Sequence, residues 1–239
     1  MSSEPLQAPQ NPEDLYLYAD PDDPVPAHRP INQGDCFEGV RLSNGPLIDR
    51  AMLVAHPCAM RKGNELRPEL VVAEISPYPG ISATKWPNGH YDVMPLPAFT
   101  GTSISTAVYL HRLNSVKSED LLVAKRIAAL TNYGQVVFLQ RWIHHLSRLT
   151  VKIDEIMGQI RPVYSEVDMQ EDWCEAALSV ETSTDESYEA ILHEASTSFQ
   201  DFLGDPRKDD SRRNLMKEES GLVLVRQQVA LERFRRYGR

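Results

Sequence analysis

The sequence is short of cysteine, with three in 239 residues, at positions 36, 58 and 174. An odd, widely spaced set excludes a disulfide framework and suits reduced thiols, so the cytoplasm is the expected address. Long hydrophobic runs are also missing: no stretch approaches the roughly 20 apolar residues that cross a bilayer. The opening "MSSEPLQAPQNPEDLY" lacks a basic start and an apolar stretch, and it is not expected to act as a secretory signal. No CxxC motif or second clustered His/Cys pair completes a ligand set, so neither metal nor cofactor is expected.

What is present is charge, unevenly spread. The formal net charge is −9, but it divides into −5 over residues 1–30, +3 over 31–165, −12 over 166–210 and +5 over 211–239. A whole-chain average therefore says little about what the middle segment binds. Residues 1–30 are proline-rich and acidic without apolar periodicity, and are expected to form a disordered or surface-draped arm.

From Gln33 to about Leu113 the pattern reads as short strands. "DCFEGVRL", "RAMLVA", "ELVVAEIS", "HYDVMPL" and "TAVYLHRL" are separated by Gly/Pro-rich turns, which points to a small β-barrel or sandwich. Near Ser118 the period changes. "SEDLLVAKRIAAL" reads as a helix with Ser118 as N-cap. A longer helix is expected from Leu139 to Ile160, ending at Pro162. "DWCEAALSV", "SYEAILHEASTSFQDFL" and "LVLVRQQVALERFRRY" read as further helices. The expected class is α+β: a barrel with its helices over 31–165, then a helical extension over 166–239.

The order of landmarks over residues 33–146 resembles the MazF/PemK family of bacterial toxins. Gly34-Asp35 precedes the first strand, Arg50 opens the apolar run "AMLVA", Ser76 closes "VAEIS", and "AVYLHRLNSVKSEDLLVAKRIAALT" follows. The resemblance implies an SH3-like barrel and an RNA-directed protein of toxin or phage-defence type. Such a protein is a metal-independent endoribonuclease or, where the site has decayed, a binding module in a larger assembly. Single-stranded RNA and a protein partner or second copy are the implied partners. By the same resemblance Arg50 and Ser76 are the catalytic pair: the guanidinium stabilises phosphoryl oxygens and the hydroxyl donates to the same phosphate. The chain departs from the family at Ala51, where a proline is usual, at Ser76, where threonine is, and in the enlarged loop "HPCAMRKGNELRP".

Arg61, Lys62 and Arg67 in that loop are candidates for a nucleic-acid backbone. Trp86, with Tyr78 and Tyr91, is a candidate for base stacking. His56 and Cys58 leave three readings open: an ordinary turn, a zinc site, or a thiol nucleophile with His56 or His90 as base. Arg141 and Arg148 share one expected outer helix face, a further phosphate candidate. His144 and His145 are adjacent and point about 100° apart, which does not favour a shared metal. The acidic 166–210 segment either folds back on the basic core as a built-in inhibitor, leaving the basic 211–239 tail free, or forms helices with solvated acidic faces.

Overall fold

The computed structural model describes residues 5–9, 11–20, 22–62, 65–101, 103–181 and 187–238. Their contacts divide into two compact units, one from the described parts of Met1–Val25, Ile31–Lys62 and Leu66–Gly158, the other from those of Pro26–Pro30, Gly63–Glu65 and Gln159–Arg239. The chain is α+β, as its pattern implies.

In the first unit seven strands form one antiparallel sheet among the described residues: β1 (Tyr16–Tyr18), β2 (Cys36–Arg41), β3 (Leu47–Leu53), β4 (Glu69–Pro77), β5 (Val93–Leu96), β6 (Thr106–Lys117) and β7 (Lys125–Leu130). The order is β1-β7-β2-β3-β4-β6-β5, and the sheet is open, with β1 and β5 at its edges. Alternation along the strands supplies both faces with apolar side chains. One face carries Cys36, Met52, Ala73, Ile75, Val108 and Leu130, packed with Trp86, Val137 and Phe138. The other carries Phe37, Val40, Ala51, Leu53, Leu70, Val72 and Val116, packed with Met60 and Leu121.

The "SEDLLVAKRIAAL" stretch is not one helix. It forms α1 (Ser118–Val123) and then turns at Ala124 into β7. Ser118 does not cap it: Lys117 holds the N-cap position and no side chain caps the turn. A helical reading of "KRIAAL" fails because both neighbours of that segment are strands, β2 and β1. Pairing on two sides outweighs a weak local preference.

The long helix is also divided. Helix α2 (Asn132–Ser147) ends where Arg148 adopts φ 61, with Arg148 N–H donating to His144 O at 2.8 Å. Helix α3 (Ile153–Glu181) begins after a break and runs through Pro162 instead of stopping there. An interior proline costs about 3 kcal/mol, and the burial of Tyr164, Val167, Met169 and Trp173 beyond it is large enough to offset that cost.

Of the N-terminal segment, the described residues up to Val25 are built into the first unit and Pro26–Pro30 into the second. Leu15 is fully buried and β1 pairs with β7. Thr131 caps α2 by accepting from Gly134 N–H at 2.9 Å, while its hydroxyl donates to Asp14 O at 2.6 Å and its N–H to Leu15 O at 2.9 Å. Gly134 lies so close to the Leu15 carbonyl that a Cβ there would overlap it. The Gly34-Asp35 turn is a second clasp. Gly34, at φ 91, donates to Leu53 O, and the nearly inaccessible Asp35 carboxylate meets Arg126 at 2.6 Å and accepts from Asn32 N–H.

In the second unit α3, α4 (Tyr188–Leu203) and α5 (Glu219–Tyr237) enclose Trp173, Phe199, Leu203, Leu222, Val225 and Val229. The Trp173 ring meets Phe199, Phe202 and Tyr237 within 6 Å, and its Nε1–H donates to Ser198 Oγ.

Gly134→Ala is expected to destabilise the first unit by about 1–3 kcal/mol, because the added methyl must displace the Leu15 backbone. Urea denaturation checks this, and an unchanged midpoint would refute the close approach.

Candidate nucleic-acid interface

The two residues of the expected catalytic pair do not converge. Arg50 on β3 stands opposite Ile75 on β4, so Ser76, one residue on, belongs to the other face of the sheet. Arg50 is held by Glu38 at 3.3 Å and lies 3.9 Å from Asp49. Ser76 Oγ donates a short hydrogen bond to Glu74. That carboxylate also receives Arg112 Nη1 at 3.0 Å. The arginine sharing a partner with Ser76 is therefore Arg112, a residue that the pattern of the chain did not single out.

A large β-bulge brings Arg112 there. Between Ala73 opposite Leu113 and Ile75 opposite Val108, two residues of β4 advance against five of β6. The surplus bends β6, and the displaced residues include Tyr109, His111 and Arg112. Bulges re-aim side chains in this way. The Arg112 guanidinium lies 4.1 Å from the centre of the Tyr109 ring, a stacked cation that leaves its outer side to solvent. Tyr109 meets Tyr78 edge to face at 6.0 Å and His111 at 5.9 Å. Tyr109 OH donates to Pro77 O at 3.0 Å, tying the bulge to the end of β4.

The loop between β4 and β5 completes the patch. The Tyr78 hydroxyl and His90 Nδ1 are 2.7 Å apart. Burial, with Tyr109 and Asp92 nearby, holds the Tyr78 phenol above its ordinary pKa, so it remains a protonated donor. His90 has φ 61, an uncommon backbone conformation outside glycine. Arg141 fixes this loop from α2. It is 1% exposed, and it donates to Trp86 O at 2.6 Å, His90 O at 3.2 Å and Val93 O at 3.4 Å. Burial draws its pKa down to about 10, which leaves it charged at neutral pH.

Two expectations are corrected here. Arg141 is not an outer-face phosphate ligand but a buried anchor. Trp86 is 2% exposed, with Arg141 4.9 Å from the centre of its ring, so it belongs to the core and no base can stack on it in this arrangement. Of the expected stacking candidates Tyr78 and Tyr91 remain accessible, the latter 4.7 Å from the His144 ring, and the structure adds Tyr109, which the pattern of the chain did not single out.

The basic loop lies elsewhere. Arg61 Nη2 donates to Ile31 O at 3.0 Å, Lys62 and Arg67 are exposed, and Arg67 N–H donates to Met60 O. This loop precedes β4 and Ser76 lies near the end of β4, a separation of roughly 25 Å at strand rise. The two groups do not form one site. Pro57–Met60 is a single helical turn capped by His56, whose Nδ1 accepts from Cys58 N–H at 3.2 Å. Cys58 is exposed and Met60 buried, which fits the plain-turn reading. Among the described residues no cluster of three His, Cys, Asp or Glu side chains forms a metal site.

No protein-family model matches this chain, and no curated protein matches it. No helix among the described residues is long and apolar enough to cross a membrane.

Arg141→Met is expected to cost about 2–4 kcal/mol, because it strands three buried carbonyls and the conservative stem cannot replace their donors. Arg141→Lys is expected to recover only part, since an ammonium lacks the planar fork. Hydrogen exchange should accelerate in residues 86–93 of both variants, and unchanged protection there would refute the anchoring role.

Proposed function

We propose that this chain is an RNA-directed module of MazF/PemK-like type, with its sheet a variant of the SH3-like barrel, and that it holds single-stranded RNA without cutting it. The observation that carries this reading is the Arg112–Tyr109 stack on the β6 bulge, beside Tyr78, His90, His111 and Ser76. Unpaired bases stack on aromatic faces without regard to sequence, and a guanidinium supplies a bidentate phosphate contact. The small excess of positive charge over residues 31–165 suits weak, salt-dependent binding.

The non-catalytic form of the reading is favoured by the divergence of Arg50 and Ser76. Metal-free cleavage needs charge stabilisation and a proton donor on one phosphate, and these two side chains occupy opposite faces with separate carboxylate partners. Glu74 tempers the surface by occupying Arg112.

Binding of a fluorescent mixed-sequence single-stranded RNA by the full chain, followed by anisotropy across a salt series, tests the proposal. Tyr109→Ala is expected to weaken binding by about 1–3 kcal/mol, the contribution of one stacked base. Arg112→Ala should lower the salt slope by about 0.7, one phosphate contact on a single strand. Glu74→Gln should tighten binding by releasing Arg112, and Arg50→Ala should leave it unchanged. Absence of binding would overturn the RNA reading. Cleavage in EDTA that disappears with Arg50→Ala would overturn its non-catalytic form.

A further inference from the structure

Helices α3 and α5 of the second unit enclose a cleft of about 280 Å³ between them, at the small end of the range for ligand pockets. The two helices run parallel: Arg161 meets Glu219 at 2.9 Å, Ser165 accepts from Arg226 at 3.0 Å, and Asp172 meets Arg233 at 3.0 Å. The cleft lies between the last two of these contacts. They are seven residues apart on each helix, so the cleft is roughly 10 Å long at helix rise. Asp168 and Asp172, one helical turn apart, line it from α3 together with Met169. Arg226, Val229, Ala230 and Arg233 line it from α5, where steps of three and four place them on one stripe. Met169 and Val229 are buried and form an apolar floor. The side chain of Ala230, a single methyl, leaves the space unfilled.

The charges of the lining are unequally matched. Asp172 is paired with Arg233, and Asp168 and Glu171 both face Arg29, whose guanidinium is buried. Arg226 instead meets the hydroxyl of Ser165, a neutral and nearly inaccessible partner, and no carboxylate pairs with it among the described residues. One hydrogen bond leaves most of the five donors of a guanidinium to be used. The Arg226 end of the cleft therefore calls for an anionic group. A simple anion does not fit the rest of the cleft, since Asp168 and Asp172 stand across it and repel negative charge. A simple amine is repelled in turn by Arg226 and Arg233. A carboxylate and an ammonium carried on one carbon satisfy both sides. The carboxylate takes the remaining donors of Arg226, whose planar fork matches it. The ammonium meets the accessible oxygens of Asp168 and Asp172, whose side chains are 40% and 61% exposed. The apolar floor then receives an aliphatic side chain.

We propose that the cleft between α3 and α5 is a binding site for a small aliphatic α-amino acid. Arg226 holds its carboxylate, Asp168 and Asp172 its ammonium, and Met169, Val229 and Ala230 its side chain. This goes beyond the RNA reading and does not depend on it. A ligand there bridges α3 and α5, so it stabilises the second unit by mass action.

Titration of the full chain with L-leucine at up to about 10 mM, followed by ligand-detected NMR, tests the proposal. Three further probes each lack one feature: isovalerate has no ammonium, isoamylamine no carboxylate, and glycine no side chain. Leucine is expected to bind and to raise the midpoint of thermal unfolding. The two probes that lack a charge should bind more weakly by about tenfold or more, the loss of one charged hydrogen-bonded contact, and glycine should also bind more weakly, without the apolar contact. Arg226→Gln should weaken leucine binding by about tenfold or more for the same reason. Ala230→Leu should abolish it by filling the cleft. Both positions are exposed, and circular dichroism checks that the variants fold. The comparison of probes uses the unaltered chain and holds whether or not a variant folds. No binding of leucine, equal binding of isovalerate or isoamylamine, or leucine affinity that survives either substitution in folded protein would each overturn the proposal.

Discussion

A guanidinium that is 1% exposed must be answered by acceptors, and Arg141 finds three of them in the carbonyls of Trp86, His90 and Val93. A buried charge left without such partners would be far costlier than any single packing contact, so the loop has little freedom to leave. Its position then fixes His90 in an uncommon backbone conformation. Through the Tyr78–His90 hydrogen bond, the loop helps to set the aromatic surface beyond β4. The interior of the first unit and its most chemically dense surface are linked through this one side chain.

The β6 bulge is the second half of the same construction. A regular ladder between β4 and β6 would alternate side chains evenly and spread Tyr109, His111 and Arg112 along two faces. Three surplus residues on β6 gather them at the end of β4 instead. The cost is local loss of ladder hydrogen bonds, and the Tyr109 hydroxyl recovers one by donating to Pro77 O.

Charge is settled locally in the second unit. Glu166 meets Arg213 at 2.8 Å, Asp172 meets Arg233 at 3.0 Å, and Glu171 and Asp168 flank the buried Arg29. Arg213 and Arg233 of the basic tail thus meet carboxylates of the acidic segment that precedes it. Blocks of −12 and +5 in the sequence fall within one unit, where these two ion pairs join them.

The one-dimensional pattern determined which segments alternate, where helices of strong period lie, and that the class is α+β, because period two and period 3.6 are local properties of a chain. It also placed Ser76, Tyr78 and the basic loop in segments near the surface. It did not determine that "KRIAAL" is a strand, because only its pairing with β1 and β2 makes it one. Nor did it separate the two arginines. Arg141 sits in a run with the look of an exposed helical face, and its burial follows from a loop some 50 residues earlier in the chain. Arg112 has no local motif at all. Its pairing with Glu74, 38 residues away, exists because a bulge shifts the register of one strand. Contacts of that separation are set by which strands become neighbours, and neighbour choice belongs to the whole chain, so only the tertiary structure decided them.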